Sequence, residues 1–140
     1  MADGWVGNTD AMNPQPLNSP KLILAIDDEP EILDVIKQTL EMEGFSVITA
    51  LGAKEGLKLY EKRAMEIGVV LLDFVMPDMN GDLVFECLRQ KNPDVRVILL
   101  TACEDTVART MFEAGLRGFI QKPFYLDDLT NRVREELALD

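Results

Sequence analysis

The chain has 140 residues, enough for one domain with a complete hydrophobic core. Its net charge of −11 argues against unaided binding to nucleic acid or to an anionic membrane, because both interactions need a basic surface. Histidine is absent, which excludes histidine-based catalysis and the usual zinc ligand sets. No apolar run reaches the roughly 20 residues that span a bilayer. Cys87 and Cys103 lie in neither a CxxC motif nor a Cys/His cluster, so we expect both to be reduced thiols in a cytoplasmic protein.

The first 20 residues differ from the rest of the chain. They are rich in Asn, Pro and Gly and lack apolar periodicity, which predicts a flexible tail, with residues 21–140 as the folded domain. From residue 21 onward, apolar runs alternate with amphipathic segments. The runs predict strands at 22–26, 45–49, 67–72, 95–100 and 117–121. The segments predict helices at 30–43, 53–64, 82–91, 105–114 and 126–137.

These five strand–helix units indicate one architecture. Several strands are apolar on both faces, which is typical of a parallel sheet covered by helices on both sides. The runs at 45–49 and 117–121 are more mixed, so we place them at the sheet edges. The sequence therefore predicts a doubly wound α/β fold of the flavodoxin type, with the five parallel strands in the order 2-1-3-4-5.

Acidic residues stand at the ends of two of these strands. Asp27 and Asp28 follow the first strand, and Asp73 follows the third. The carboxyl ends of parallel strands meet at one edge of the sheet, where ligands bind, so the three carboxylates are expected to converge. Such a cluster needs a compensating cation, and a hard divalent ion with oxygen ligands suits it.

Two further strand ends supply complementary chemistry. Thr101, after the fourth strand, offers a hydroxyl, and Lys122, after the fifth, offers a mobile ammonium group. A metal site beside a cation is what phosphoryl transfer requires, together with an oxygen nucleophile. Asp73 is the best candidate nucleophile, because a tight turn at Pro77 follows it.

The chain resembles a response regulator receiver domain, the phosphoacceptor module of two-component signalling. The similarity covers about residues 21–138. It rests on several motifs in family-like order and spacing: the Asp27–Asp28 pair, the D-x-x-M-P-x-x-x-G run from Asp73 to Gly81, the Thr101–Ala102 pair, the Lys122–Pro123 pair and the stretch AGLRGFIQKPF.

The resemblance implies a role for each site residue. Asp73 would be the phosphoacceptor and, with Asp28 and the backbone carbonyl of Val75, a direct Mg²⁺ ligand, while Asp27 would act through water. Thr101 and Lys122 would hold the phosphoryl oxygens, and the Lys122–Pro123 peptide bond would be cis. Mg²⁺ is the implied cofactor. The implied partner is a histidine kinase or a histidine phosphotransfer protein, and the implied output is a conformational change, not turnover as an enzyme.

Two positions depart from common family patterns. Phe119 stands where many members have a switch tyrosine. We therefore expect a switch that runs through Thr101 and Phe119 and lacks the tyrosine hydroxyl. Val75 stands where members that dephosphorylate rapidly carry an amide or acid. Cys103 lies two residues after Thr101, and we expect an inert thiol there.

Simpler interpretations apply to single residues, and other functions use this fold. Any one of the three aspartates alone is better explained as a helix cap or a loop carboxylate, and Met111 and Phe112 are expected in the core.

One alternative is an interaction module with this fold and no phosphorylation, which the intact site set argues against. A flavin-binding protein would need a Gly-rich phosphate loop after the first strand, and an aspartyl-phosphate phosphohydrolase a D-x-D-x-[TV] run. This sequence has neither.

Overall fold

The computed structural model of the protein describes residues 21–102 and 106–138. The predicted tail at residues 1–20 and the Cys103 thiol therefore lie outside the described residues. The five strands are β1 (Leu22–Asp27), β2 (Val47–Leu51), β3 (Ile67–Asp73), β4 (Val97–Thr101) and β5 (Gly118–Gln121). The five helices are α1 (Pro30–Met42), α2 (Ala53–Arg63), α3 (Gly81–Lys91), α4 (Thr106–Glu113) and α5 (Leu126–Leu137).

The sheet has the predicted topology. All four strand pairings are parallel, and the order is β2-β1-β3-β4-β5, so the two mixed strands do lie at the edges. In this order the central strands β1 and β3 are neighbours. Chain order reverses on either side of them, which is the point at which open α/β sheets bind ligands.

Helices cover both faces of the sheet. Alternating strand residues point to opposite sides, so Ile23 and Ala25 contribute to one apolar cluster while Leu24 and Ile26 contribute to the other. The first cluster is completed by α1 and α5, and the second by α2, α3 and α4. The resulting rigid sandwich fixes the strand ends relative to one another.

Two strands begin two residues later than the sequence pattern predicts. β2 begins at Val47 and not at Phe45, because the Phe45 amide donates to the Leu40 carbonyl and helps to end α1. β4 begins at Val97 and not at Val95, because the Val95 amide closes a turn on the Asn92 carbonyl after α3. Apolar character alone does not distinguish a strand residue from a buried residue in a turn.

None of the helices in 21–102 or 106–138 is long and apolar enough to cross a bilayer.

Candidate functional site

The ends of the two central strands bring three carboxylates together. Asp27 is the last residue of β1, Asp73 is the last residue of β3, and Asp28 follows Asp27 directly. One carboxylate oxygen from each residue lies within 4.8 Å of the others. Asp27 and Asp73 are buried, with 1% and 6% of their surface exposed, whereas Asp28 is accessible to solvent. The convergence expected from the sequence is therefore present.

Lys122 reaches this cluster from the end of β5, a strand at the edge of the sheet. Its Nζ atom donates to Asp27 Oδ2 and to Asp73 Oδ1, at 3.0 Å each. The residue follows β5, and the Lys122–Pro123 peptide bond is cis, as expected. One ammonium group thus faces three carboxylates, which leaves an excess of negative charge.

The electrostatic balance at Asp73 is unfavourable for its charged form. Burial, followed by the negative charge of Asp27, raises the pKa of Asp73 to about 6, although the hydrogen bond from Lys122 opposes the shift. Burial lowers the pKa of Lys122, but its bonds to Asp27 and Asp73 outweigh burial and leave that pKa raised. At neutral pH the site therefore holds a charged Asp73 that is poorly compensated.

This imbalance predicts a pH dependence of folding stability when divalent cations are absent. Because the folded-state pKa of Asp73, about 6, exceeds its unfolded value near 3.8, folded protein binds more protons between these values, and stability falls as pH rises through that window. We expect Asp73→Asn to be more stable than the wild type at pH 7, by on the order of 2 kcal/mol.

Denaturant unfolding in chelator from pH 4 to pH 8 measures this difference. The stability gain of Asp73→Asn should grow between about pH 4 and pH 6 and then stay constant, since only that window separates the two pKa values. A gain that does not vary with pH would show that Asp73 is not the group responsible.

The donor set fits a hard divalent cation. Three carboxylates offer oxygen ligands, the site retains excess negative charge, and the accessible side of Asp28 leaves a route to solvent. Mg²⁺ prefers such oxygen ligands and is typically bound through one or two carboxylates, with waters completing its shell. The residues present are therefore chemically suited to Mg²⁺.

Thr101 lies on the same edge, one strand further along. β3 and β4 pair with Asp73 beside Leu100, so Thr101 is one residue beyond that pair. It is the last residue of β4, with 2% of its surface exposed, and its carbonyl accepts a 2.8 Å hydrogen bond from the Lys122 amide. The contact joins the backbones of two predicted site residues.

The turn after Asp73 is closed by close backbone packing. The Gly81 amide donates to the Phe74 carbonyl at 2.6 Å. A Cβ atom on Gly81 would lie 2.8 Å from the Asp73 carbonyl oxygen, so a larger residue would push against the backbone that carries Asp73. Between these anchors Val75 is 60% exposed. The turn thus leaves Val75 exposed two residues beyond Asp73.

The predicted switch residue Phe119 lies outward on β5, with 37% of its surface exposed. Its ring meets that of Phe112 edge to face, with the centroids 6.2 Å apart and an interplanar angle of 68°. The expectation that Phe112 is core is therefore wrong, since it is 42% exposed, whereas its neighbour Met111 is buried as expected. Phe112 lies on the outer side of α4, where it contacts the edge strand.

Sequence reasoning missed two residues near the site. It did not pair Phe112 with Phe119, and it treated Asp78 only as part of a turn, although its carboxylate bonds to the start of α2. The Asp78 contact joins segments at least 24 residues apart in the chain, whereas the ring pair joins the consecutive elements α4 and β5. The Pro77–Asp78 turn signal was the only local hint of the second contact.

Comparison with known proteins identifies the family. The family description "Response regulator receiver domain" matches residues 23–134. The chain belongs to the response regulator receiver domain family. This receiver domain is 37% identical over 113 residues to the transcriptional regulatory protein CpxR of Escherichia coli, covering 80% of this chain and 47% of CpxR. It spans about half the length of several such curated relatives.

Solved structures agree with this assignment. A CheY-like response regulator receiver domain protein from Methanospirillum hungatei is 34% identical, with a TM-score of 0.79, over 86% of this chain and 95% of that one. The response regulator TrrA from Thermotoga maritima, solved in complex with Mg²⁺ and BeF, is 33% identical, with a TM-score of 0.74, over 83% of this chain and 98% of that one. The receiver domain family acts generally as a phosphorylatable switch in two-component signalling.

Proposed function

We propose that this receiver domain is phosphorylated on Asp73 by a phosphohistidine donor. The observation that carries the proposal is the bridge from Lys122 Nζ to Asp27 and Asp73 within a three-carboxylate cluster. It supports a site where a carboxylate nucleophile, an acidic metal site and a mobile cation lie together. These 140 residues contain no histidine, so the donor is a histidine kinase or a histidine phosphotransfer protein outside them.

In the proposed transfer, an oxygen of Asp73 attacks the phosphorus atom of the donor. An O–P bond forms while the N–P bond breaks, and the electron pair of the broken bond stays on the histidine nitrogen. Lys122 exchanges its contact with Asp73 for the phosphoryl oxygens, and the Thr101 hydroxyl donates to another of them. Turnover is slow and the product is an altered conformation, so the domain acts as a signalling switch and not as an enzyme.

The proposed cofactor is Mg²⁺. Asp28, Asp73 and the Val75 carbonyl would hold it directly, with Asp27 acting through a water molecule. When bound, it neutralises negative charge on the carboxylates and on the phosphoryl oxygens. The similarity to TrrA, whose structure is a complex with Mg²⁺ and BeF, supports this assignment.

Binding of beryllofluoride, a phosphoryl mimic, tests the proposal. Calorimetric titration with BeF₃⁻ should give one binding site in the presence of Mg²⁺ and none in chelator. Asp73→Asn should abolish that binding. A fold-only interaction module would bind no BeF₃⁻ under either condition, and that result would overturn the proposal.

The proposed partners follow from the relatives. CpxR is a transcriptional regulatory protein more than twice the length of the matched region, so we propose that this domain controls an output domain or a partner protein. Direct contact of this acidic domain with nucleic acid or membrane is not part of the proposal, and we propose a cytoplasmic location.

Val75 predicts a long-lived phosphorylated state. Hydrolysis needs a water molecule held in line with the O–P bond, and the exposed apolar side chain of Val75 cannot hydrogen-bond to that water. We expect Val75→Asn to speed dephosphorylation by about tenfold, less than the roughly 100- to 10,000-fold typical of general acid–base catalysis, because an amide orients the water without taking its proton. Loss of radiolabel after removal of the donor measures the rate. Val75→Leu, which has the branched shape of Asn but no hydrogen-bonding group, is the control for side-chain shape, and an unchanged or slower rate in Val75→Asn would contradict this account.

Phe119 and Phe112 predict the behaviour of the switch. Phosphorylation would draw Thr101 toward the phosphoryl group, and the Phe119 ring would swing into the vacated space. Its edge-to-face contact with Phe112 stabilises the outward position by about 0.5–1.5 kcal/mol. We expect BeF₃⁻ to shift amide resonances from Asp73 out to α4 in the wild type, but only near Asp73 in Phe119→Ala.

Phe112→Ala is the informative partner variant. It removes the outward contact but keeps the moving ring, so BeF₃⁻ should bind about 2- to 10-fold more tightly than in the wild type. Leu83→Ala, which shortens another exposed apolar side chain, on α3, should leave that affinity unchanged. A wild-type response of α4 in Phe119→Ala would contradict the proposed switch.

A further inference from the structure

A carboxylate in the phosphoacceptor turn caps a helix elsewhere in the chain. Asp78 Oδ1 accepts from the Ala53 amide at 3.2 Å, and Asp78 Oδ2 accepts from the Lys54 amide at 3.0 Å. These amides open α2, whose own capping residue is Gly52 and so has no side chain to offer. Asp78 thus supplies the cap from 24 residues or more away.

The local geometry is adapted to this contact. Gly52 has a φ of 96°, which strongly favours glycine, and a Cβ atom there would lie 3.4 Å from Asp78 Oδ2. The backbone hydrogen bonds from Lys54 and Ala53 hold the pKa of Asp78 below its usual value, so the carboxylate stays charged. A charged acceptor at a helix N-terminus is also favoured by the helix dipole.

The cap links two sides of the carboxylate cluster. The Gly52 amide donates to the Asp27 carbonyl at 2.9 Å, so the start of α2 is fixed to the end of β1. Asp78 then ties the turn after Asp73 to the same point. Within that turn Met76 is buried, while Val75 is 60% exposed. The Asp78 cap is thus a second anchor on the C-terminal side of Val75.

We propose that Asp78 is a positioning residue that holds the Val75 carbonyl in register with Asp27 and Asp28, and so sets the affinity of the site for Mg²⁺. The inference rests on the proposed function, because it assumes that the Val75 carbonyl is a ligand. Groups that orient metal ligands without touching the metal commonly change affinity by 10- to 100-fold when removed. A helix cap with no such role would change stability alone.

Three variants separate these roles. Asp78→Ala removes both acceptors, and Asp78→Asn removes the same charge but keeps one acceptor oxygen. Asp82→Ala removes an equivalent charge from the first turn of α3, where Asp82 bonds to the adjacent Leu83 amide and not to α2. Calorimetry with Mg²⁺ alone gives the affinities, and amide hydrogen exchange at Ala53 and Lys54 reports whether the cap is lost.

We expect Mg²⁺ to bind about tenfold more weakly to Asp78→Ala and about threefold more weakly to Asp78→Asn, with little change in Asp82→Ala. If Asp78→Ala does not fold, the Asn variant carries the test. Faster exchange at Ala53 and Lys54 with wild-type Mg²⁺ affinity would overturn the positioning role and leave the proposed function standing. Equal weakening of Mg²⁺ binding in Asp78→Asn, Asp78→Ala and Asp82→Ala would show that the effect comes from charge alone. That result would also overturn the positioning role. Absence of Mg²⁺ binding in the wild type would overturn the proposed function itself.

Discussion

Asp28→Ala is expected to lose Mg²⁺ binding and phosphorylation together. Asp28 is the accessible member of the cluster and adjoins buried Asp27, so its removal takes away the ligand nearest to solvent. Removing a group that orients a metal ligand commonly lowers metal affinity by up to about 100-fold. Loss of a ligand itself should lower that affinity at least as much. Calorimetry measures Mg²⁺ affinity, and incubation with acetyl phosphate measures the extent of phosphorylation.

Glu29→Ala is the matched control for this loss. It removes an equal charge one residue further along, and its backbone amide can still donate to Asp27 Oδ1, as it does in the wild type at 2.9 Å. Mg²⁺ affinity and phosphorylation should both remain close to the wild-type values. Metal-independent phosphorylation of Asp28→Ala at the wild-type level would contradict the proposed metal site.

Among the substitutions proposed here, Glu136→Ala is expected to produce the largest loss of folding stability. The Glu136 side chain is fully buried near the end of α5, where its carboxylate lies 2.8 Å from Arg117 Nε and 3.0 Å from Arg132 Nη1. Its backbone carbonyl also accepts from Arg96 Nη1 at 2.8 Å. Removing the carboxylate takes away the acceptor that Arg117 and Arg132 share, at a cost of about 3 kcal/mol, the lower end for a broken buried pair, because both arginines are partly exposed.

Glu135→Ala provides the control for this substitution. Its neighbouring carboxylate is 71% exposed and 4.0 Å from Arg132, so its removal should change stability by less than about 0.5 kcal/mol. Glu136→Gln should fall between the two, since its amide oxygen can still accept one bond. Denaturant unfolding at neutral pH measures all three, and similar stabilities for Glu135→Ala and Glu136→Ala would contradict the account.

The fold could be predicted because its signals are local and repeated. Five alternations of apolar strand and amphipathic helix determine a parallel sheet, and strand composition distinguishes the edges from the centre. The starts of β2 and β4 differ from the prediction because Phe45 and Val95 are apolar residues used in turns. Hydrogen bonds such as that from Phe45 to Leu40 depend on how the helix ends, which hydrophobicity does not encode.

The site residues could be predicted because parallel strands end at one edge. That rule brings Asp27, Asp73 and Lys122 together from positions as much as 95 residues apart. Pairs that join the sides of elements, such as Phe112 with Phe119, follow no such rule. The same holds for Glu136, which reads as an ordinary charged helix residue until the starts of β4 and β5 bring Arg96 and Arg117 to it.

Mass spectrometric mapping of the phosphorylated residue tests the central claim most directly. After incubation with acetyl phosphate and Mg²⁺, the account predicts a single adduct on the peptide that contains Asp73, cleaved by base and by hydroxylamine as an acyl phosphate is, and none in Asp73→Asn. An adduct on another residue, or one that persists in Asp73→Asn at wild-type stoichiometry, would contradict the assignment of Asp73 as the phosphoacceptor.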